Sequence, residues 1–389
     1  MKKIYTLMFA AVLSASLCAT AAAQNAAPVS TADSVALLDT RVNRLNGDVA
    51  ALDGTVTKLD KFISKLPKVS GFMQLLYTFD DNRGASTTSE FRVRRARVTL
   101  AGDIYKGYAD YNFMAEFAGS VQLLDAFVRL TPWKQFNVQA GSFRPAFTIE
   151  NYFYGATSME LIDYPQIVTR MTTLGDLTGG TRASAAGRDL GIQAYGGFFN
   201  KNGYSVLQYY AGIFNGNGID YKNINSVRDF AGMIRINPVK ELALVGSVYV
   251  GQYAPGGAHT YAVRNRWSGG FMFDNKKWFA RGEYIGGVTG NILPGSKLHT
   301  DGAYLMAGVW FCDRKVAPVL RAEYYTYNTE LRDGTTDIYY TAGVDYRPWK
   351  YLRFQVNYTA KTYSYNLPTD KAGHRSMGNQ VMVMLTGLF

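Results

Sequence analysis

Four arginines stand within six positions of one another, at Arg92, Arg94, Arg95 and Arg97. A guanidinium stays charged at physiological pH, and its planar donors match the oxygens of carboxylate and phosphate groups. Catalysis requires different groups, typically a nucleophile and a base within hydrogen-bond reach of each other. The segment therefore predicts attraction of anions rather than a chemical reaction.

The residues that usually perform catalysis or hold metals are scarce. The only histidines are His259, His299 and His374, and none lies beside a recognisable nucleophile motif. If Cys18 is removed with an N-terminal leader, Cys312 stands alone, which excludes an internal disulfide and leaves little material for a metal site. We predict that the protein is not an enzyme and uses neither a metal nor a cofactor.

The first residues predict export. Two lysines precede an apolar run from Ile4 to about Ala19, and three alanines at positions 21–23 supply small residues for cleavage. This is the layout of a secretory signal peptide, which we place at residues 1–23. Its removal lowers the net charge from +11 to +9, because the segment holds two lysines and no acids.

Composition predicts which type of structure the exported chain uses to span a membrane. No later stretch contains the roughly 18 continuous apolar residues that a membrane helix requires, so a closed β-barrel is the remaining way to span a bilayer. The 28 Tyr, 22 Phe and 39 Gly agree with a barrel of the bacterial outer membrane. Nucleic acid is a poor partner outside the cell, so the basic charge suggests small anionic solutes.

A heptad pattern follows a short linker at residues 24–33. Apolar residues alternate at spacings of three and four over more than four heptads, and Pro67 ends the pattern. We predict a periplasmic coiled coil at residues 34–67, which self-associates or packs on the barrel. The choice of residues along the seam favours dimers. The seam consists of Val35, Leu38, Val42, Leu45, Val49, Leu52, Val56, Leu59, Ile63 and Leu66.

From residue 68 to residue 389 the period changes to two, which predicts a transmembrane β-barrel. The clearest strand alternates apolar residues from Leu352 to Ala360 with polar residues from Arg353 to Lys361. Sixteen strands are predicted, at about 69–79, 90–102, 107–118, 121–130, 135–143, 188–199, 203–215, 227–237, 240–252, 261–274, 277–288, 301–312, 315–327, 335–347, 350–361 and 377–389. The fold class is therefore all-β, a sixteen-stranded antiparallel barrel after an α-helical coiled coil.

The predicted connections alternate between short turns and longer polar loops, with one exception at residues 119–120. Trp133, Trp278 and Trp349 all fall at the short-turn end, where an aromatic girdle is expected. We therefore place the short turns and the N-terminal helix in the periplasm. The connection at residues 144–187 is much longer than the others.

Strand parity assigns the residues that line the lumen. If the apolar residues of a strand face lipid, the residues between them face the water-filled lumen. Charged side chains on this lumenal wall set the ion selectivity of a pore. The predicted anion-attracting residues are Arg92, Arg94, Arg95, Arg97, Arg129, Arg144, Arg235, Arg264, Arg266 and Arg353. Two further pairs on this wall, Arg281 with Glu283 and Arg321 with Glu323, are each predicted to neutralise themselves.

The arginine-rich strand has a conflict of parity. Phe91 and Val93 share one parity, whereas Ala96, Val98 and Leu100 share the other. A β-bulge at residues 94–95 would turn all four arginines toward the lumen, because one extra residue changes the phase of the strand. Without a bulge, the first two arginines would lie at the extracellular rim, and the sequence leaves both arrangements open.

Several segments resemble the phosphate-selective porin O/P family. They are residues 91–102, with Arg-Arg-Ala-Arg at 94–97, residues 124–128, residues 138–147, with Gly-Ser-Phe-Arg-Pro at 141–145, and residues 188–191. The resemblance spans about residues 70–389. It implies a homotrimeric porin whose third extracellular loop, here 144–187, folds inward and narrows the channel. That loop mixes Arg144, Arg170 and Arg182 with four acids, without a dense ladder of arginines.

Two hypotheses for the function remain. The first is an outer-membrane porin for passive diffusion of small hydrophilic solutes, selective for anions such as phosphate. The alternative is a structural or interaction protein whose coiled coil assembles with, or tethers the barrel to, periplasmic or cell-wall partners. In the loop, Tyr152, Phe153 and Tyr154 either stack sugars or pack the loop against the wall.

Overall fold

The computed structural model describes residues 31–63, 66–82, 87–172, 187–216, 218–219, 227–253, 262–290, 296–331, 336–362 and 377–389. Contacts divide the chain into one unit at Met1–Leu66 and a second at Pro67–Phe389. The predicted signal peptide at residues 1–23 lies outside the described residues. Among the described residues, no helix is both long enough and apolar enough to cross a bilayer.

The N-terminal unit contains one long helix, α1, at Thr31–Ile63. It begins inside the predicted linker 24–33, because Thr31, Ala32 and Asp33 suit a first helical turn, where an acidic side chain is favoured. It ends before Leu66 and Pro67. Most of the described seam residues along it are exposed, including Val42, Leu45 and Val49 at 50–63 %, and Val56 is partly buried. The predicted helix is thus present, whereas its pairing in a coiled coil is not shown.

The second unit is a closed barrel of sixteen antiparallel strands, as predicted. In chain order the strands are β1 Lys68–Asn82, β2 Thr88–Tyr105, β3 Ala109–Glu116, β4 Gln122–Leu130, β5 Asn137–Phe143, β6 Asp189–Lys201, β7 Tyr204–Phe214, β8 Asp229–Val239, β9 Leu242–Tyr253, β10 Ala262–Asp274, β11 Trp278–Gly290, β12 Lys297–Val309, β13 Val316–Thr326, β14 Thr336–Trp349, β15 Leu352–Thr362 and β16 Met377–Leu388.

Pairing of the first strand with the last closes the barrel. Phe72 lies opposite Leu388, and the backbones of Gly71 and Phe389 exchange two hydrogen bonds of 3.0 Å. A Cβ atom on Gly71 would meet the backbone carbonyl oxygen of Arg97 at 2.5 Å, so glycine is required for this close approach. Closure leaves no unpaired sheet edge, which a bilayer would not tolerate.

The barrel is polar inside and apolar outside. On β15, Phe354, Val356 and Tyr358 are 38–47 % exposed, whereas the intervening Arg353, Gln355 and Asn357 are at most 3 % exposed. Because side chains alternate across a strand, the exposed apolar set forms the outer surface and the polar set fills the lumen. The alternation read from the sequence is therefore present in the structure.

The connections show the predicted rhythm. Those after even-numbered strands contain two to six residues, whereas those after odd-numbered strands contain five to forty-five. The longest, residues 144–188, joins β5 to β6 and carries two short helices, α2 at Ile149–Phe153 and α3 at Gln166–Met171. The link between β3 and β4, residues 117–121, is short on the side of the long loops.

The bulge in β2 resolves the conflict of parity. Gln74 of β1 lies opposite Arg95, yet the next residue, Leu75, lies opposite Val93, so Arg94 has no partner position. The phase of β2 changes there. Arg92 then lies opposite the buried Leu76, and all four arginines share the lumenal side. The bulge, rather than the rim arrangement, is the one found.

Candidate functional site

The described part of the long connection at residues 144–188 lies inside the barrel, and we call this connection the inserted loop. Its described residues are 144–172 and 187–188. Ile149, Ile162, Ile167 and Val168 are fully buried. Ile162 packs with apolar residues of β1 and β16, and Leu161 packs with residues of β11, β12 and β13. Burial of its apolar side chains against the far wall holds the loop in the lumen.

Polar side chains of the wall bind the loop backbone. Arg353 donates to the carbonyl of Thr157 at 2.8 Å and to the carbonyl of Met159. Gln355 donates to the carbonyl of Glu160 at 2.8 Å, and Gln74 donates to that of Ala156 at 3.1 Å. A buried carbonyl without a donor is costly, so these contacts satisfy groups that the irregular loop cannot pair within itself.

Arg281 holds the start of the loop. Its guanidinium contacts the carboxylates of Glu150 and Glu160 at 2.5 and 2.6 Å and lies 3.8 Å from the centroid of the Tyr154 ring. Burial raises the pKa of Tyr154 to about 12, although Arg281 acts in the opposite direction, so the phenol is neutral at physiological pH.

The predicted pairing of Arg281 with Glu283 is wrong. The Glu283 carboxylate instead accepts the backbone N–H of Ile149 at 3.0 Å, because the inserted loop brings a donor that the strand alone does not offer. The second predicted pair is confirmed, with Arg321 and Glu323 3.0 Å apart. Arg321 also donates to the loop carbonyl of Asp163 at 2.7 Å.

The four arginines of β2 have different partners. Arg92 pairs with Glu90 at 3.2 Å near the barrel end that carries the longer connections, where both side chains are about half exposed. Arg94 contacts Asp163 of the inserted loop, and Arg97 is buried against Glu116 at 2.7 Å. Arg95 donates to the Gln74 side chain at 2.9 Å. Within the described part of the chain, Arg95 has no carboxylate partner.

The two ends of the inserted loop add further charge beside β2. Arg144 donates to the carbonyls of Asn151 and Tyr154 at 2.9 and 3.1 Å, and Arg188 contacts Asp125 at 2.5 Å. Arg97 lies in the electrostatic field of both Arg144 and Arg188.

We call Arg94, Arg95, Arg97, Arg144 and Arg188 the arginine cluster. Arg94, Arg97 and Arg188 contact the carboxylates of Asp163, Glu116 and Asp125. Arg95 and Arg144 contact no carboxylate among the described residues, so positive charge is concentrated where the loop meets this wall.

The other predicted lining residues lie elsewhere on the wall. Arg129 pairs with Asp110 at 2.8 Å toward the short turns and is 42 % exposed. Arg264 pairs with Asp229 at 2.8 Å and is fully buried, and Arg266 is buried beside it on β10. Arg353 anchors the loop and also pairs with Asp345 at 2.6 Å. Arg235 is half-buried and donates to Asn237 at 2.9 Å.

Some residues that the structure brings to the site were not predicted from the sequence. Arg188 belonged to a recognised motif, but nothing in the sequence places it beside Arg144. Tyr195 and Tyr210 share the lumenal parity of Gln193 and Gln208, so strand parity was a signal that could have identified them. Tyr152, Phe153 and Tyr154 of the loop pack against the wall, which confirms one of the two alternatives predicted for them.

A closed barrel of sixteen strands, polar inside, apolar outside and crossed by an inserted loop, is the architecture of a porin. Residues 68–218, from β1 through β7, match the family model described as phosphate-selective porin O and P. The resemblance inferred from the arginine-rich strand is confirmed over this part of the chain. No curated protein matches the sequence.

Solved porin structures share the fold at low sequence identity. An anion-selective porin from Comamonas acidovorans matches with a TM-score of 0.65 and 13% identity, covering 83% of this chain and 99% of that one. OmpF of Salmonella typhi in complex with daunomycin matches at 0.59 with 12% identity, covering 84% and 98%. The outer membrane channel DcaP of Acinetobacter baumannii matches at 0.57 with 12% identity, covering 83% and 97%.

Proposed function

We propose that this protein is an outer-membrane porin through which small hydrophilic solutes diffuse passively, with a preference for anions. The observation that carries the proposal is the arginine cluster beside the inserted loop, in which Arg95 and Arg144 contact no carboxylate among the described residues. The family match and the shared fold with an anion-selective porin support it.

The geometry favours a graded attraction over one tight anion site. Arg97 and Arg188 are buried and paired with carboxylates, Arg94 is paired with Asp163 and 14 % exposed, and Arg95 and Arg144 are partly exposed. A low-dielectric wall focuses the field of such charges into the lumen and raises the local concentration of anions. Conduction also requires that each ion leaves quickly, so we propose small inorganic and organic anions, phosphate among them, as solutes.

The function is tested by the reversal potential of the purified channel in a planar bilayer under a KCl gradient. We expect a sign that reports higher permeability for chloride than for potassium. We also expect the preference to be stronger at 10 mM than at 1 M salt, because the screening length falls from about 30 to about 3 Å. Preference for potassium would refute the proposal.

We further propose that the short turns and α1 face the periplasm and that the porin is a trimer. The alternation of short and long connections supports the orientation, since barrels of this kind keep short turns on the periplasmic side. A protease added to intact cells is expected to leave α1 uncut and to cleave it only after the outer membrane is permeabilised. Cleavage in intact cells would reverse the orientation.

The exposed seam of α1 supports a second proposal, self-association of this helix between copies of the chain. Seven described residues of the seam, from Val35 to Leu59, are 50–63 % exposed, and a helix with an unburied apolar stripe is stabilised by a partner helix. Attachment to a separate periplasmic partner has less support, because the family match begins at residue 68.

Deletion of residues 33–66 is expected to leave a folded barrel with weaker oligomers, because α1 forms a unit apart from the strands. The measurement is the oligomer fraction after graded heating in detergent. A matched variant that replaces the exposed polar residues Asn43, Asn46 and Asp53 with Ala should leave the oligomer unchanged. Equal oligomer stability in the deletion and the full chain would exclude self-association through α1.

A further inference from the structure

Aromatic side chains form a continuous surface between the inserted loop and the wall of β6 and β7. The Tyr152 ring lies 5.1 Å from the Phe153 ring and 5.0 Å from the Tyr210 ring, both edge to face. Tyr210 in turn stacks on Tyr195 with an interplanar angle of 10° and 6.1 Å between centroids. We call these four residues the aromatic wall.

The aromatic wall faces the lumen. Tyr195 lies directly opposite Tyr210, which lies opposite the buried Met233 on the next strand. Tyr152, Phe153 and Tyr210 pack partly against a buried apolar cluster, which fixes their orientation. Tyr195 extends the stack beyond that cluster, and all four rings remain partly exposed. Packing of the loop therefore accounts for the first three rings, whereas the Tyr195 ring lies outside the buried cluster and stacks on Tyr210.

Arg235 stands beside this surface, and the groups that it contacts in the described part of the chain are uncharged. Its guanidinium lies 5.2 Å from the centroid of the Phe153 ring, and its Nε donates to Asn237 at 2.9 Å. Asn237 is itself fixed by a hydrogen bond of 2.8 Å to the carbonyl of Ser205. Among the described residues no carboxylate contacts Arg235, and the titratable groups acting on it are Tyr154 and Tyr210. The guanidinium is oriented by neutral partners and keeps its capacity for an anion.

We propose that the aromatic wall and Arg235 form a binding site for small aromatic carboxylates on their way through the channel. The inference rests on the proposed function and deepens it. A flat ring packs against the partly exposed rings of the aromatic wall, while its carboxylate binds the Arg235 guanidinium beside Phe153. A neutral sugar uses the same rings but gains nothing from Arg235, so this arginine distinguishes the two classes of solute.

Benzoate is the probe, and acetate is the matched carboxylate without a ring. The measurement is the concentration of each that halves the chloride current of the full-length channel in a planar bilayer. We expect benzoate to block at a concentration roughly tenfold lower than acetate, because ring stacking adds to the attraction of the carboxylate. Equal concentrations for the two anions would overturn the proposal.

Two variants separate the components of the site. Arg235→Gln is expected to raise the blocking concentration of benzoate about tenfold, because a charge-assisted hydrogen bond is lost. Tyr195→Leu should raise it about threefold while leaving the weaker block by acetate unchanged. Arg347→Gln is the control, since Arg347 is a partly exposed lumenal arginine that pairs with Asp345 on β14. Equal loss in Arg347→Gln and Arg235→Gln would show a general effect of charge and refute the site.

The test of this binding site can fail independently of the test of anion selectivity. An anion-selective channel in which benzoate and acetate block alike keeps the proposed function and rejects the aromatic site. A cation-selective channel rejects the proposed function whatever benzoate does. Block by maltose at millimolar concentration, unchanged in Arg235→Gln, would instead assign the rings to neutral sugars and overturn the inference.

Discussion

Arg95→Gln is expected to lower the permeability of chloride relative to potassium by roughly two- to fivefold. One unit charge about 4–6 Å from a passing ion in water changes the energy of that ion by close to 1 kcal/mol, which corresponds to this change in permeability. Arg95 is the informative position because it has no carboxylate partner within the described residues. Its neutralisation removes positive potential without leaving a buried acid behind, and glutamine retains hydrogen-bonding capacity toward Gln74.

The measurement is the reversal potential under a KCl gradient, with the largest shift expected at low ionic strength. Arg92→Gln is the matched control on the same strand, because Arg92 is about half exposed and paired with Glu90 near the start of β2. Asp163→Asn should shift the potential in the opposite direction, since it removes the acid that faces Arg94. Equal shifts in the Arg92 and Arg95 variants would exclude a selective role for the arginine cluster.

Arg281→Gln is expected to release the inserted loop from the wall. Arg281 is 2 % exposed and lies between the carboxylates of Glu150 and Glu160, with Glu283 two residues further along the strand. Removing one partner from a buried ion pair typically costs about 3–5 kcal/mol, because the remaining charge stays buried without compensation. Here two acids of one short segment would lose their cation, so that the start of the loop should move toward water.

Single-channel recording provides the measurement, and we expect larger and noisier conductance from a channel whose constriction has loosened. Substitution of Glu150 and Glu160 with Gln in the Arg281→Gln background should restore quiet conductance by removing the uncompensated charges. Arg314→Gln is the control, because the pair of Arg314 and Asp274 is about half exposed and contributes little. Unchanged conductance and noise in Arg281→Gln would contradict the role of Arg281 as an anchor.

The barrel could be predicted from the sequence because its determinants are local and repetitive. Alternation such as that from Leu352 to Lys361 separates a lipid face from a water face, and the turns between strands are short in sequence. The bulge at Arg94 could also be predicted, from a change of parity within the sequence of β2. The sequence left the rim arrangement open, and the register between β1 and β2 shows that the bulge is present. The helix α1 followed from its heptads for the same reason.

The partners of the charged lumenal side chains could not be predicted from local sequence patterns. Parity correctly placed Arg281, Glu283 and Arg353 inside, yet it paired Arg281 with its neighbour two residues away. Arg281 and Glu283 bind groups of the inserted loop instead, and Arg353 binds loop carbonyls in addition to Asp345, all more than a hundred positions from these loop residues in the chain. No local spacing encodes such contacts, because they depend on where an irregular segment meets the far wall.

The sequence by itself thus determined which residues face water, which face lipid, and that the lumen is rich in arginine. The tertiary structure decided what each arginine does: Arg353 and Arg281 hold the loop, Arg97 is neutralised by Glu116, and Arg95 and Arg235 keep their charge available. The physical reason is that the field at a point depends on distances to every nearby charge. Those distances are set only when the barrel closes and the inserted loop packs inside it.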